Sequence, residues 1–166
     1  MTDGKVASLR PIRLALEPLM NSCQFDVEVR NRGYDCRELD AREAWQLMQK
    51  WRETFAAAFR ATHGSWKLGS LNWHIFSFGH APSLRGEKAF AEYFSQPLCR
   101  FLILPDEAEH LPSYSCVASS WPDFREWQLD LYVCPDSIEW TIAFTHEEGA
   151  GLGPYFSRAE WCNIAE

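Results

Sequence analysis

The residues best suited to chemistry in this 166-residue chain are His146, Glu147 and Glu148, which follow an alternating apolar stretch and precede Gly149, Gly151 and Gly153. An imidazole and a carboxylate at a strand end can serve as a general base and its orienter, or as two ligands of a divalent metal. His-Glu alone is half of such a site, because adjacent residues of a strand point to opposite faces. Period two puts His146 on the face of Trp140, Ile142 and Phe144. His74 is the second candidate. In an extended segment it shares a face with Asn72, Phe76 and Phe78. If that segment lies beside residues 139–146, His74, His146, Glu147 and Tyr155 converge on one pocket. The competing reading makes His146 a core-edge histidine bonded to backbone or to Tyr155.

Other chemistry is harder to assemble. Cys23, Cys36, Cys99, Cys116, Cys134 and Cys162 contain no Cys-x-x-Cys pair, so zinc-ribbon and thioredoxin-type motifs are absent. They read as reduced thiols, several packed as small hydrophobes. The loop from Gly149 to Pro154 has glycines at alternate positions but lacks the Lys-Ser/Thr of a phosphate loop. It reads as a permissive turn that lets Tyr155 and Phe156 fold back on a sheet. Ser119 and Ser120 lie in no nucleophile elbow. No cofactor fingerprint is present, and no catalytic set is complete.

Charge is more informative. The net charge is −7. Residues 1–60 hold 10 Lys/Arg and 9 Asp/Glu, whereas residues 61–166 hold 6 and 14, so the second part carries all the excess negative charge. Asp106, Glu107 and Glu109 cluster, as do Asp123, Glu126 and Asp130, and then Glu147 and Glu148. Such a surface repels phosphate backbones and anionic lipids and attracts a basic protein. The chain also has eight tryptophans. Trp51, Trp73 and Trp140 fit core stripes; Trp66, Trp121 and Trp161 lie in polar or turn-like stretches. The acid-aromatic segment 121–127 therefore offers Trp121, Phe124, Asp123 and Glu126 as a contact surface, with aromatic anchors between carboxylates. Its alternative is a loop whose rings cover a sheet edge.

These residues need elements to position them. Residues 1–22, broken by Pro11 and Pro18, read as an N-terminal arm, and 23–166 as one domain. Alternation over residues 24–30 predicts a strand. Asp40 and Glu43 open a capping-box-like helix start. Ala44, Leu47, Met48, Trp51, Phe55, Ala58 and Phe59 then form one apolar stripe that ends near Thr62, before Gly64. Residues 71–78 read as an aromatic strand and 86–94 as a short helix. The segments 101–104, 114–119, 127–134 and 140–145 read as strands, the last two joined as an antiparallel hairpin through Pro135-Asp136-Ser137. The result is an α+β domain: a mostly antiparallel sheet with helices packed on one face. No apolar run approaches a membrane span, and the first residues lack a secretory core, so the expected compartment is the cytosol.

Three segments resemble a small uncharacterised bacterial family, domain of unknown function 4275. Leu71-Asn72-Trp73-His74-Ile75-Phe76-Ser77-Phe78 is similar to its Trp-His-x-Phe-Ser strand, and Leu84-Arg85-Gly86-Glu87-Lys88-Ala89 to its Gly-Glu-x-Ala helix start. Asp130-Leu131-Tyr132-Val133, Trp140-Thr141, Thr145-His146-Glu147 and Gly153-Pro154-Tyr155-Phe156 complete the likeness, over about residues 70–157. The resemblance supports a fold more than a function, although small acidic bacterial proteins of this kind often look like immunity proteins. The expectation is a non-enzymatic, cytosolic binding protein, without cofactor. As an immunity-type inhibitor it would meet a basic partner such as a cognate toxin domain through Trp121, Asp123, Phe124, Glu126, Asp106, Glu107, Glu147 and Glu148. The alternative is a small enzyme or ligand-binding protein with a pocket around His74, His146, Glu147 and Tyr155. Oligomeric state is left open.

Overall fold

A computed structural model of the chain describes residues 22–66, 71–106 and 111–163. The expected arm lies outside them, apart from Ser22, which starts the first element. That element, α1 (Ser22–Asn31), is a helix where alternation predicted a strand. The same residues satisfy a helical spacing: Phe25 and Val29 are four apart and buried together, while Val27 is turned outward. Asp26 accepts from Arg30 at 2.9 Å, also four apart, which supports the helix from outside. Seven residues hold too few repeats to separate the two periods.

Strand β1 (Asp35–Glu38) leads to α2 (Ala41–Phe55), whose capping box is complete. The Glu43 N–H donates to the Asp40 carboxylate at 2.8 Å, and Glu43 accepts the Asp40 N–H at 3.1 Å. The long predicted helix breaks at Ala56 and resumes as α3 (Ala57–His63). The break rotates the stripe, so Ala56 and Phe59 are buried and Ala58 is not. Gly64 closes α3 in the left-handed conformation. The segment read as an aromatic strand over 71–78 instead forms a short helix, α4 (His74–Ser77), after a turn. Its backbone is pinned from the side by a buried carboxylate, which no local periodicity reports.

The remaining elements are β2 (Leu84–Arg85), α5 (Glu87–Phe94), β3 (Phe101–Pro105), β4 (Tyr114–Val117), β5 (Leu131–Pro135), β6 (Trp140–Phe144), β7 (Tyr155–Arg158) and α6 (Ala159–Cys162). The described strands form one sheet in the order β1-β4-β3-β5-β6-β7-β2, every pair antiparallel. The predicted hairpin is β5–β6, with Leu131 opposite Phe144. Its first strand begins at Leu131 rather than at Trp127, which sits in a 3-10 turn followed by Gln128 at φ 50°.

The α+β class and the antiparallel sheet hold, but helices cover both faces of the sheet rather than one. Phe101, Ile103, Leu131, Val133, Trp140, Ile142, Phe144 and Phe156 face a core shared with α1 and α5. Their neighbours Leu102, Leu104, Tyr132, Cys134, Ala143 and Tyr155 face a second core with α2, α3 and α4. Strand side chains alternate between faces, so a strand apolar at every position requires a cover on each side. The segments 101–105 and 131–135 have that composition.

Cys36 and Cys116 are directly opposite in the β1–β4 register and form a disulfide, against the expectation of six thiols. The pair is 80 residues apart in sequence, and only strand pairing brings the two side chains together. Among the described residues, no helix is long and apolar enough to cross a membrane.

Candidate functional site

The two candidate histidines flank one indole, that of Trp73, and do not face each other across a pair of strands. His74 stands at the start of α4 with its ring 4.1 Å from that of Trp73. His146 lies past the end of β6, its ring 6.3 Å from the same indole. Tyr155 stacks on Trp73 at 6.2 Å. Trp73 is thus the hub of the predicted pocket, and its buried indole fills the space between the imidazoles. His146 does not continue the face of Trp140, Ile142 and Phe144. The strand ends at Phe144, and the Thr145 hydroxyl donates to the Leu152 carbonyl, which bends the chain.

The orienter of His146 is Asp130, not Glu147. Nδ1 lies 2.7 and 2.9 Å from the two Asp130 oxygens, and the His146 N–H donates to the same carboxylate at 3.1 Å. A carboxylate only accepts, so the Nδ1 position carries a proton. Glu147 lies 3.6 Å from Nε2. The carboxylates approach different ring nitrogens and do not converge on one point. Among the described residues, no group of three His, Cys, Asp or Glu is placed to hold a metal ion. The hairpin register carried a signal for Asp130: with Leu131 opposite Phe144, residues 130 and 145–146 meet at its open end.

Asp106 was predicted on a contact surface and is instead buried. It accepts the Asn72 N–H at 2.8 Å, the Trp73 N–H at 3.4 Å, the Tyr132 hydroxyl at 2.5 Å and the Asn72 side-chain amide. Arg52 on α2 donates to the Asn72 Oδ1 at 3.0 Å. Burial pushes the Asp106 carboxyl up, and the hydrogen bonds from Tyr132 and Asn72 oppose that rise. One carboxylate therefore ties the turn before α4 to β5. Glu107 lies outside the described residues.

The acid-aromatic segment is also reorganised. Trp121 is 8% exposed and Phe124 1%, so neither serves as an outward anchor. Trp121 donates its indole N–H to the Gln96 carbonyl at 2.8 Å and packs on Trp140, Phe101 and Tyr93. Burying a large ring with its one polar atom satisfied is the favoured outcome for an indole beside a core. Trp127 remains half-buried, between Phe25, Phe124 and the guanidinium of Arg32.

Carboxylates do gather beside this segment. Arg125 sits 4.0 Å above the Phe90 ring and is held by Asp123 at 2.5 Å, with Glu87 at 4.0 Å. Glu148 lies within electrostatic reach of Arg125, Asp123 and Glu87. Partial burial works against the Asp123 charge, but the Arg125 hydrogen bonds outweigh it and hold that carboxyl low. Burial pushes Glu148 up, and its carboxylate neighbours Asp123 and Glu87 add to the rise. A run of acids thus extends from Asp130 through His146, Glu147 and Glu148 to Asp123 and Glu87, with exposed Glu126 at its border. Arg32, which donates to the Asp123 carbonyl at 2.7 Å, bounds the far side. The pairing of Arg125 with Glu87 was not readable in the sequence, because two elements 38 residues apart bring them together.

The free thiols are not activated. Burial raises Cys99, Cys134 and Cys162 above the ordinary thiol value, the opposite of what a nucleophile needs.

A family model described as a domain of unknown function, DUF4275, matches residues 25–156. The match reaches well N-terminal of the motifs quoted above and takes in most of α1 and all of α2, which carry none of them. No curated protein and no solved structure is matched by the chain.

Proposed function

Because the chain belongs to the family of domains of unknown function 4275, whose description assigns no activity, we propose its function from the geometry: a non-enzymatic binding protein that meets a basic protein through the acidic face around Arg125. The carrying observation is that Asp130, Glu147, Glu148, Asp123 and Glu87, from separate parts of the fold, are neighbours of one another through His146 and Arg125. Held carboxylates at that density steer a cationic partner and accept its Lys and Arg groups on contact. Trp127 supplies the aromatic rim that Trp121 and Phe124 do not.

An immunity-type inhibitor, which occludes the basic site of a toxin or enzyme in the cytosol, is the form of binding this reading favours. In a reducing cytosol Cys36 and Cys116 stand as two thiols, and β1 stays on β4 through its backbone pairing. The test is co-expression with each protein encoded beside the gene, scored for growth and copurification. Association should slow as salt rises. Glu87→Lys with Glu126→Lys should abolish rescue and binding, while Glu53→Lys on α2 leaves both intact. A salt-independent association rate, or full binding by the reversed variant, overturns the reading.

A second reading is favoured by the Asp130–His146 pair, in which the imidazole is oriented with Nε2 toward Glu147. A carboxylate-oriented imidazole is one part of a general-base arrangement, and on this reading the region of His74, His146, Glu147 and Tyr155 is a small-ligand or catalytic site. A metabolite retained by the purified protein and lost in His146→Gln would support it.

A further inference from the structure

On the face of the sheet that α2 covers, we propose that a cleft beside this helix is a binding site for a small anionic amphipath, a carboxylate with a short apolar tail. The cleft is about 450 Å³ and is lined by Arg37, Lys50 and Arg100, by Glu43 and Asp136, and by Leu39, Leu47 and Leu102, with Gln46 and Ser115. That volume lies within the ~300–1,000 Å³ of small-ligand sites.

The sheet explains why a cleft forms there. Arg37, Ser115, Leu102 and Cys134 stand opposite one another across β1, β4, β3 and β5. Side chains in such a row share a face, here the face of the second core. Over β5 that face is sealed by α2, where Trp51 packs on Tyr132 at 4.2 Å and donates to Thr141 at 3.0 Å. Toward β4 and β1 the row changes to serine and arginine. The core continues there as an open cleft with a partly polar floor. Ser115 is a buried polar residue of that floor.

Charge selects the ligand. Arg37 is paired with Glu43 at 2.9 Å, and Arg100 lies 3.8 Å from Asp136. Neither of these pairs uses Lys50, so the cleft holds three cations against two anions in a protein of net charge −7. A cation beside leucines favours a molecule with one anionic end and an apolar remainder. The leucines lie on α2, on β3 and at the entry to α2, so the tail has walls on more than one side.

The test uses three probes of one shape: 3-phenylpropionate, its neutral amide, and 3-phenylpropylamine. Each is titrated into the full chain and followed by amide chemical shifts. The carboxylate should give saturable shifts confined to Lys50, Leu102, Ser115 and their neighbours. The amide should bind roughly tenfold more weakly and the amine more weakly still, with ~1.4 kcal/mol per tenfold step. Lys50→Glu is exposed and leaves the core untouched; it should abolish carboxylate binding. Ser115→Ala is a second variant and should weaken binding without changing its charge preference. Absence of saturable shifts at about 10 mM carboxylate, a limit near ~3 kcal/mol of affinity, overturns the site. So does equal binding by the amine or undiminished binding by Lys50→Glu. Saturation by inorganic phosphate but not by 3-phenylpropionate overturns the amphipathic assignment.

Discussion

The Tyr132 hydroxyl donates to the Asp106 carboxylate at 2.5 Å in the interior, joining the middle of β5 to the loop after β3. The same carboxylate holds the Asn72 and Trp73 N–H groups, so a single acid fixes where the aromatic segment leading into α4 lies on the sheet. Asp106→Ala strands several buried donors at once. It should lower the unfolding free energy by about 3–5 kcal/mol in urea melts, whereas Tyr132→Phe, which removes one donor, should cost about 1–2 kcal/mol. A loss under about 1 kcal/mol for Asp106→Ala would show that water or a shifted loop satisfies those groups.

Gly153 has φ +123°, and a Cβ there would stand 2.7 Å from the Thr145 hydroxyl. That hydroxyl is engaged by the Leu152 carbonyl and cannot move freely. Gly153→Ala should destabilise by roughly 2–3 kcal/mol through clash and backbone strain. Gly149 has open space around its Cβ position. Gly149→Ala in the same loop should stay within ~0.5 kcal/mol of the parent. Thermal melts of the pair separate a steric requirement from general loop sensitivity.

The Arg37 hydrogen bond holds the Glu43 carboxyl below its ordinary value, with the Asp40 N–H adding to the effect. A carboxyl depressed in the folded state contributes stability above its unfolded value, about 4.3, and loses it as pH falls through the folded value. Glu43→Gln should therefore flatten the acid limb of the stability profile and leave its shape above about pH 6 unchanged. Denaturant midpoints measured between about pH 2.5 and 7 would show this. An unchanged acid limb would mean that Arg37 and Glu43 do not hold each other in solution.

Trp140 is buried between Tyr93, Trp121 and Phe156 on β6. Trp140→Ala should cost about 3–5 kcal/mol, the usual price of an unfilled aromatic cavity. A near-neutral denaturant melt would contradict the placement of this strand face against α5.

The hairpin of β5 and β6, the capped start of α2, the short helix α5 and the both-sides-apolar β3 were legible in the sequence. Each is set by interactions within a few residues or by a periodicity local to the element. α1 and α4 were misread for the complementary reason. Phe25 and Val29 satisfy either period over so short a run, and Leu71–Phe78 mixes Asn72, His74 and Ser77 with five apolar residues in no clean period. What decides between strand and helix there is the surface each segment meets.

The candidate sites divide along the same line. Composition determined that the second part of the chain is acidic and rich in rings, and it offered His74, His146 and Tyr155 as candidates without fixing where they lie. Only the tertiary structure decided that Asp106, Trp121 and Phe124 turn inward and that Asp130 holds His146. It alone set Glu87 beside Arg125 and opened a cleft between Lys50 and Ser115. Charge and side-chain type are properties of single residues and survive any folding. Burial and partnership belong to pairs distant in sequence, and they exist only once strand register and helix packing have fixed which residues face each other.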